Sequence, residues 1–240
     1  MNISGSGRIG AGEYHEKISI SGSGKLDGNV HCLALSCSGA VRGTGTVVID
    51  EELHVSGSCH IDGDVKAHGV SVSGAFAVGK GLHVKDKIRC SGSMVCDGMV
   101  KCATLSCSGR AQIGECEAEQ ITVRGPIHCR GLLNAETVDL APAGHIGSIG
   151  GSEIRVHSEE KAPHRRARLP LLGRLIGASA DVLQVDEWIE GDVVALERTA
   201  APKVVGRIVA IGEGCRIDLL QYSEEVEIHP DAKVSKVEKI

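Results

Sequence analysis

Ile18-Ser-Ile-Ser-Gly22 returns down the chain as Leu35-Ser-Cys-Ser-Gly39, Leu53-His-Val-Ser-Gly57 and Val70-Ser-Val-Ser-Gly74. It returns again as Ile88-Arg-Cys-Ser-Gly92, Leu105-Ser-Cys-Ser-Gly109 and Ile121-Thr-Val-Arg-Gly125, with a degenerate eighth copy at Val138-Asp-Leu-Ala-Pro142. The copies therefore start at Ile18, Leu35, Leu53, Val70, Ile88, Leu105, Ile121 and Val138, at nearly constant intervals. A fixed period this short means a solenoid, in which each repeat buries its apolar face only by stacking on its neighbours. Aligned copies place apolar residues in i, i+2 pairs, three pairs per repeat, such as Leu53 with Val55, Cys59 with Ile61 and Val47 with Ile49. Alternation of that kind marks half-buried strands. Gly22, Gly39, Gly57, Gly74, Gly92 and Gly109 follow one pair, and Gly28, Gly45, Gly63, Gly98 and Gly131 follow another. Glycine at those corners is expected to supply the unusual backbone angles of a sharp bend. The reading is all-β: a three-sided parallel β-helix of about 17 residues per turn, whose eight turns make a rod of about 40 Å at ~4.8 Å per turn.

Composition agrees. The 240 residues carry 2% aromatics and a net charge of −5. Few rings suit a narrow core of Val, Ile, Leu and Cys, and leave little for stacking on bases, so nucleic acid is not an expected partner. Met1-Asn2-Ile3-Ser4-Gly5 enters the repeat directly, with no signal-peptide pattern, and no apolar run reaches membrane-spanning length. The expected location is the cytosol.

Ten cysteines raise the question of disulfides or zinc. Cys37, Cys90 and Cys107 share one inward position, Cys96 and Cys129 a second, Cys32 and Cys102 a third, so they read as small core hydrophobes. Cys90 and Cys107 are expected to stack on adjacent turns. Most rod histidines fall at outward positions, and His128 and His145 share a position on adjacent turns; two imidazoles are fewer ligands than a zinc site uses. Gly74-Ala-Phe-Ala-Val-Gly79-Lys80 matches a phosphate loop in spacing, but Gly81 stands where Ser or Thr is needed and no helix pattern follows. No catalytic, cofactor-binding or metal set emerges.

Three segments are expected. Residues 1–156 form the rod, whose opening stretch 1–17 reads as an imperfect turn lacking inward aliphatics around Glu13-Tyr14-His15-Glu16. Residues 157–180 form a basic and apolar linker with a short helix from Pro170. Its leucines either pack on the rod as a lid or, with the arginines, contact an anionic membrane surface through Arg165, Arg166, Arg168, Leu171, Leu172 and Leu175. Residues 181–240, with 13 Asp or Glu against 7 Lys or Arg, regain strand patterning in a weaker register. They read as a second, shorter β-solenoid segment, stacked on the first or folded beside it.

Ser-Gly followed six residues later by Asp-Gly, as in Ser21-Gly22 with Asp27-Gly28, Ser56-Gly57 with Asp62-Gly63 and Ser91-Gly92 with Asp97-Gly98, resembles the bactofilins, bacterial polymer-forming cytoskeletal proteins. The resemblance covers residues 1 to about 153; the remainder is similar to the extended part of longer bactofilin-like proteins of endospore-forming bacteria. It implies a right-handed β-helix, end-to-end homopolymerisation without nucleotide or cofactor, and a scaffold for cell-wall, cell-shape or motility machinery, with co-assembly by a paralogous bactofilin left open. The length and the second segment depart from the family's single core. Self-assembly is expected at the tips, where the apolar column is cut across: Ile3 and Ile9, backed by Ile18 and Ile20, at one end, and Val234, Val237 and Ile240 at the other. Two alternatives stay open. One is a β-helix enzyme, an acyltransferase or polysaccharide-acting, which would need a catalytic His or an acidic and basic cluster. The other is a passive binding rod.

Overall fold

The structure, a computed structural model, describes residues 1–158 and 182–240. All strands of the described residues join one 24-stranded sheet wound into a parallel β-solenoid of about 13 turns, with ~17 residues per turn and no helix. At ~4.8 Å per rung the rod is roughly 60 Å long.

Each turn contributes one strand to each of three sides. The first side begins at Asn2–Ile3 and runs through Glu52–Val55, Gly69–Val72, Lys87–Cys90 and Thr104–Cys107 to the end of Arg216–Ile228. The second begins at Ser6–Ile9 and the third at the start of Gly12–Ile20; both finish in Lys233–Lys239. Because every pairing is parallel and nearly in register, like residues stack on like. Ile18, Leu35, Leu53, Val70, Ile88, Leu105, Ile121, Val138, Ile154, Val194 and Val209 form one column, each at most 2% exposed. The other inward pairs expected from the repeat are buried as well, Phe76 with Val78 and Met94 with Cys96 among them. All ten cysteines are buried free thiols, and Cys90 is the register partner of Cys107.

The corner glycines do a different job from the expected one. Of the eleven, only Gly28 has a left-handed backbone, with φ of 82°. Nine of the others are needed for close approach to the backbone of the turn below, while Gly131 faces only the Glu115 side chain. A Cβ on Gly74 would lie 2.0 Å from the carbonyl oxygen of Gly57, and one on Gly39 would lie 1.9 Å from that of Gly22. The Ser-Gly corners lie directly on one another, so a side chain there would enter the backbone of the turn below.

Residues 1–17 form a full turn. Gly12, Glu13 and Tyr14 pair with Val30, His31 and Cys32, and Tyr14 packs against the core where an aliphatic pair is missing. Its hydroxyl donates to the Gly10 carbonyl at 3.0 Å.

The segment after residue 181 continues the same stack. Leu183, Gln184 and Val185 pair with Gly144, His145 and Ile146, while Ile189 pairs with Ile149 and Val194 with Ile154. Val156 and Leu183 therefore end and begin successive sides of one turn. Elsewhere that corner takes two residues, Ser56 and Gly57, or three, 124–126. The expected helix from Pro170, the lid and the membrane-contact residues Arg165, Arg166, Arg168, Leu171, Leu172 and Leu175 lie outside the described residues.

Candidate functional site

Stacking satisfies the strand edges of interior turns by the turns above and below. The first and thirteenth turns each leave one edge unpaired among the described residues. They differ in how much apolar surface they leave open.

At the N-terminal tip the Met1 amine donates to Glu16 Oε2 and to the Lys17 carbonyl, tying the first strand to the turn beneath. Ile3 is half-buried and bends over Gly7, where an added Cβ would lie 2.8 Å from Ile3 Cγ2. Ile9, expected on the open surface, is only 2% exposed. Ile9 is the register partner of Leu26 and joins the apolar core, so its side chain is buried although it lies in the first turn. Ile18 and Ile20 lie one rung deeper and are buried.

The C-terminal tip is more open. Val237 is 44% and Ile240 65% exposed, and Val234 is half-buried against the core. Ile228, which the repeat pattern did not single out, is also exposed, with Val226 and Tyr222 partly so. The strand is nevertheless anchored. The Ile240 amide donates to the Tyr222 carbonyl at 2.9 Å, and Gln221 Nε2 donates to Glu238 Oε2 at 2.9 Å. Hydrogen bonds from Lys236 and then Gln221 hold the Glu238 carboxyl below the ordinary glutamate range.

Other sequence candidates resolve into structure. Gly74–Lys80 is corner and strand: Ala75–Val78 pairs with Ser58–Ile61, and Phe76 and Val78 point inward. His128 and His145 meet edge to face with ring centroids 5.6 Å apart, and His145 Nε2 lies 2.6 Å from Asp186 Oδ1. Among the described residues no three His, Cys, Asp or Glu side chains are grouped to hold a metal. Burial pushes the Cys102 thiol up to about 12 and Cys116 well above its usual value, which leaves these sulfurs un-ionised and poor nucleophiles. A further exposed feature is a groove along the corner after the third side, around Lys66 and Lys85, which the repeat analysis passed over. Its signal was present as Lys and His two residues apart on consecutive repeats.

Two uncharacterized proteins of Bacillus subtilis (strain 168), YhbF and YhbE, are each 34% identical over 113 residues, or 46% of this chain. The chain covers 42% and 44% of their lengths, less than half of either relative. No solved structure matches. The family model for bactofilin, described as polymer-forming cytoskeletal, matches residues 1–81. The first third of this chain is thus similar to the bactofilins, and the later turns extend the same β-solenoid.

Proposed function

We propose that this chain is a cytoskeletal scaffold that self-assembles through its tips without nucleotide and positions cell-envelope or motility machinery. The observation that carries the reading is the open apolar edge of the thirteenth turn, formed by Ile228, Val237 and Ile240. Joining it to another tip covers apolar surface, worth about 25 cal/mol per Å², and pairs free strand edges in the same step. Ile3 completes the assembly surface at the other tip, with Ile9, Ile18 and Ile20 supporting it from the core. The match of residues 1–81 to a polymer-forming family supports the same reading. The partners are further copies of this chain and a paralogous bactofilin.

Ile240→Arg tests it. The side chain is exposed, so the variant should keep the parent's circular-dichroism spectrum and melting temperature while losing filaments in sedimentation and negative-stain microscopy. Parent filaments should form without ATP or GTP. A parent that stays monomeric at high concentration sinks the reading, and filaments unchanged in the variant move the contact to a side of the rod.

The proposed location is the cytoplasm, at the inner face of the membrane, with Arg165, Arg166, Arg168, Leu171, Leu172 and Leu175 as the contact. The residue types support this: arginines favour anionic headgroups and leucines the interface. The protein should co-sediment with anionic vesicles and release in high salt. Equal pelleting with neutral vesicles, or none with either, would leave these residues a packing role.

A further inference from the structure

A groove of about 620 Å³ runs along the corner after the third side, from the rung at Val48 to the rung at Glu117. It spans five rungs, whose four spacings of ~4.8 Å make roughly 19 Å. Two ridges of outward side chains flank a floor of small or apolar residues, Ala67 and Val84 at its centre. The volume lies within the ~300–1,000 Å³ usual for ligand sites.

The charges are unevenly satisfied. At one end Asp50 is held by His31 at 2.8 Å, and towards the other Lys101 is held by Glu117 at 3.0 Å. Between them Lys66 and His68 lie on one rung, and His83 and Lys85 on the next. Lys66 is the register partner of His83, and the Lys85 amide donates to the Ala67 carbonyl at 3.0 Å, which seats Lys85 beside His68. All four side chains are exposed. No ion pair occupies any of them among the described residues, although paired charges are common elsewhere on the rod. Glu119 bounds the far end and gives the basic stretch a limit.

We infer that this groove is a docking site for an extended acidic peptide of a partner protein. The basic centre supplies the charge complementarity, and Ala67 and Val84 supply an apolar floor between the ridges. The length fits about six residues of extended chain at ~3.3 Å each. A small anion would engage only the two central rungs and leave the rest of the groove empty. The site is on the side of the rod, away from both tips, and does not depend on tip-to-tip assembly.

The test is fluorescence anisotropy of a dye-labelled decapeptide alternating Glu and Val, titrated with the full chain. The parent should bind it and should ignore a peptide alternating Lys and Val. Lys66→Glu/Lys85→Glu should weaken binding at least tenfold with an unchanged circular-dichroism spectrum, since both side chains are exposed. His68→Ala/His83→Ala, which adds no negative charge, should weaken it by a smaller factor. Ile240→Arg should bind like the parent, which separates this site from the assembly surface. No binding by the parent, undiminished binding by the charge-reversed variant, or stronger binding of inorganic polyphosphate than of the peptide overturns the proposal.

Discussion

Leu105→Asp is expected to unfold the middle of the rod. Leu105 is fully buried, with Ile88 on the rung before and Ile121 on the rung after. Loss of the isobutyl group alone costs about 2–5 kcal/mol. The carboxyl then sits in a column of aliphatics with no partner in reach, adding a desolvation penalty of several kcal/mol whether it stays charged or takes up a proton. Together these rival the ~5–15 kcal/mol by which domains are stable at all. A solenoid transmits the damage, because each turn is held only by its neighbours. The expected result is loss of the β circular-dichroism signal, whereas Leu105→Ile, which conserves volume, should stay within about 1.5 kcal/mol of the parent. A Leu105→Asp protein that melts like the parent would show that the column is misassigned.

Gly92→Ala should rank among the most damaging single-methyl changes in the chain's corners. Its Cβ would lie 2.0 Å from the Gly74 carbonyl oxygen and 2.5 Å from that of Ser73. Both obstacles are backbone, held by the same ladder that defines the turn, so neither can rotate away. Separating the two rungs would weaken the bond from the Ser93 amide to the Gly74 carbonyl, now 2.9 Å. The cost should meet or exceed the ~1–3 kcal/mol typical of overpacking, read as a fall of several degrees in melting temperature. Gly10→Ala is the matched control, because an added Cβ there meets nothing within 4 Å. Equal melting temperatures for the two variants would refute the close-approach role of the corner glycines.

That role shows where sequence reasoning reached its limit. The position of the glycines was legible from the period, but their physical reason was not. Left-handed backbone and backbone crowding both select glycine, and only the spacing between turns separates them. Gly28 answers to the first cause and Gly92 to the second. Ile9 carries a related lesson. It lies in the first turn, so a linear reading exposes it, yet the side chain points along the core onto Leu26 and is covered. Ile228 and the Lys66–Lys85 groove were harder still, because each depends on which residues of distant repeats come side by side.

The amino-acid sequence by itself determined the three-sided β-solenoid, its inward columns and the burial of its cysteines. All of these follow from a short, nearly constant period and an i, i+2 alternation, both local regularities that stacking merely repeats. Only the tertiary structure decided the rest. It joined the segment after residue 181 to the same stack, through Ile149 with Ile189 and Ile154 with Val194. It buried Ile9 in the first turn and left Val237 and Ile240 exposed in the thirteenth, and it gathered into one groove lysines and histidines that carry no ion pair among the described residues. Those outcomes depend on register between rungs far apart in the chain, and register is set by backbone pairing and packing rather than by any one repeat.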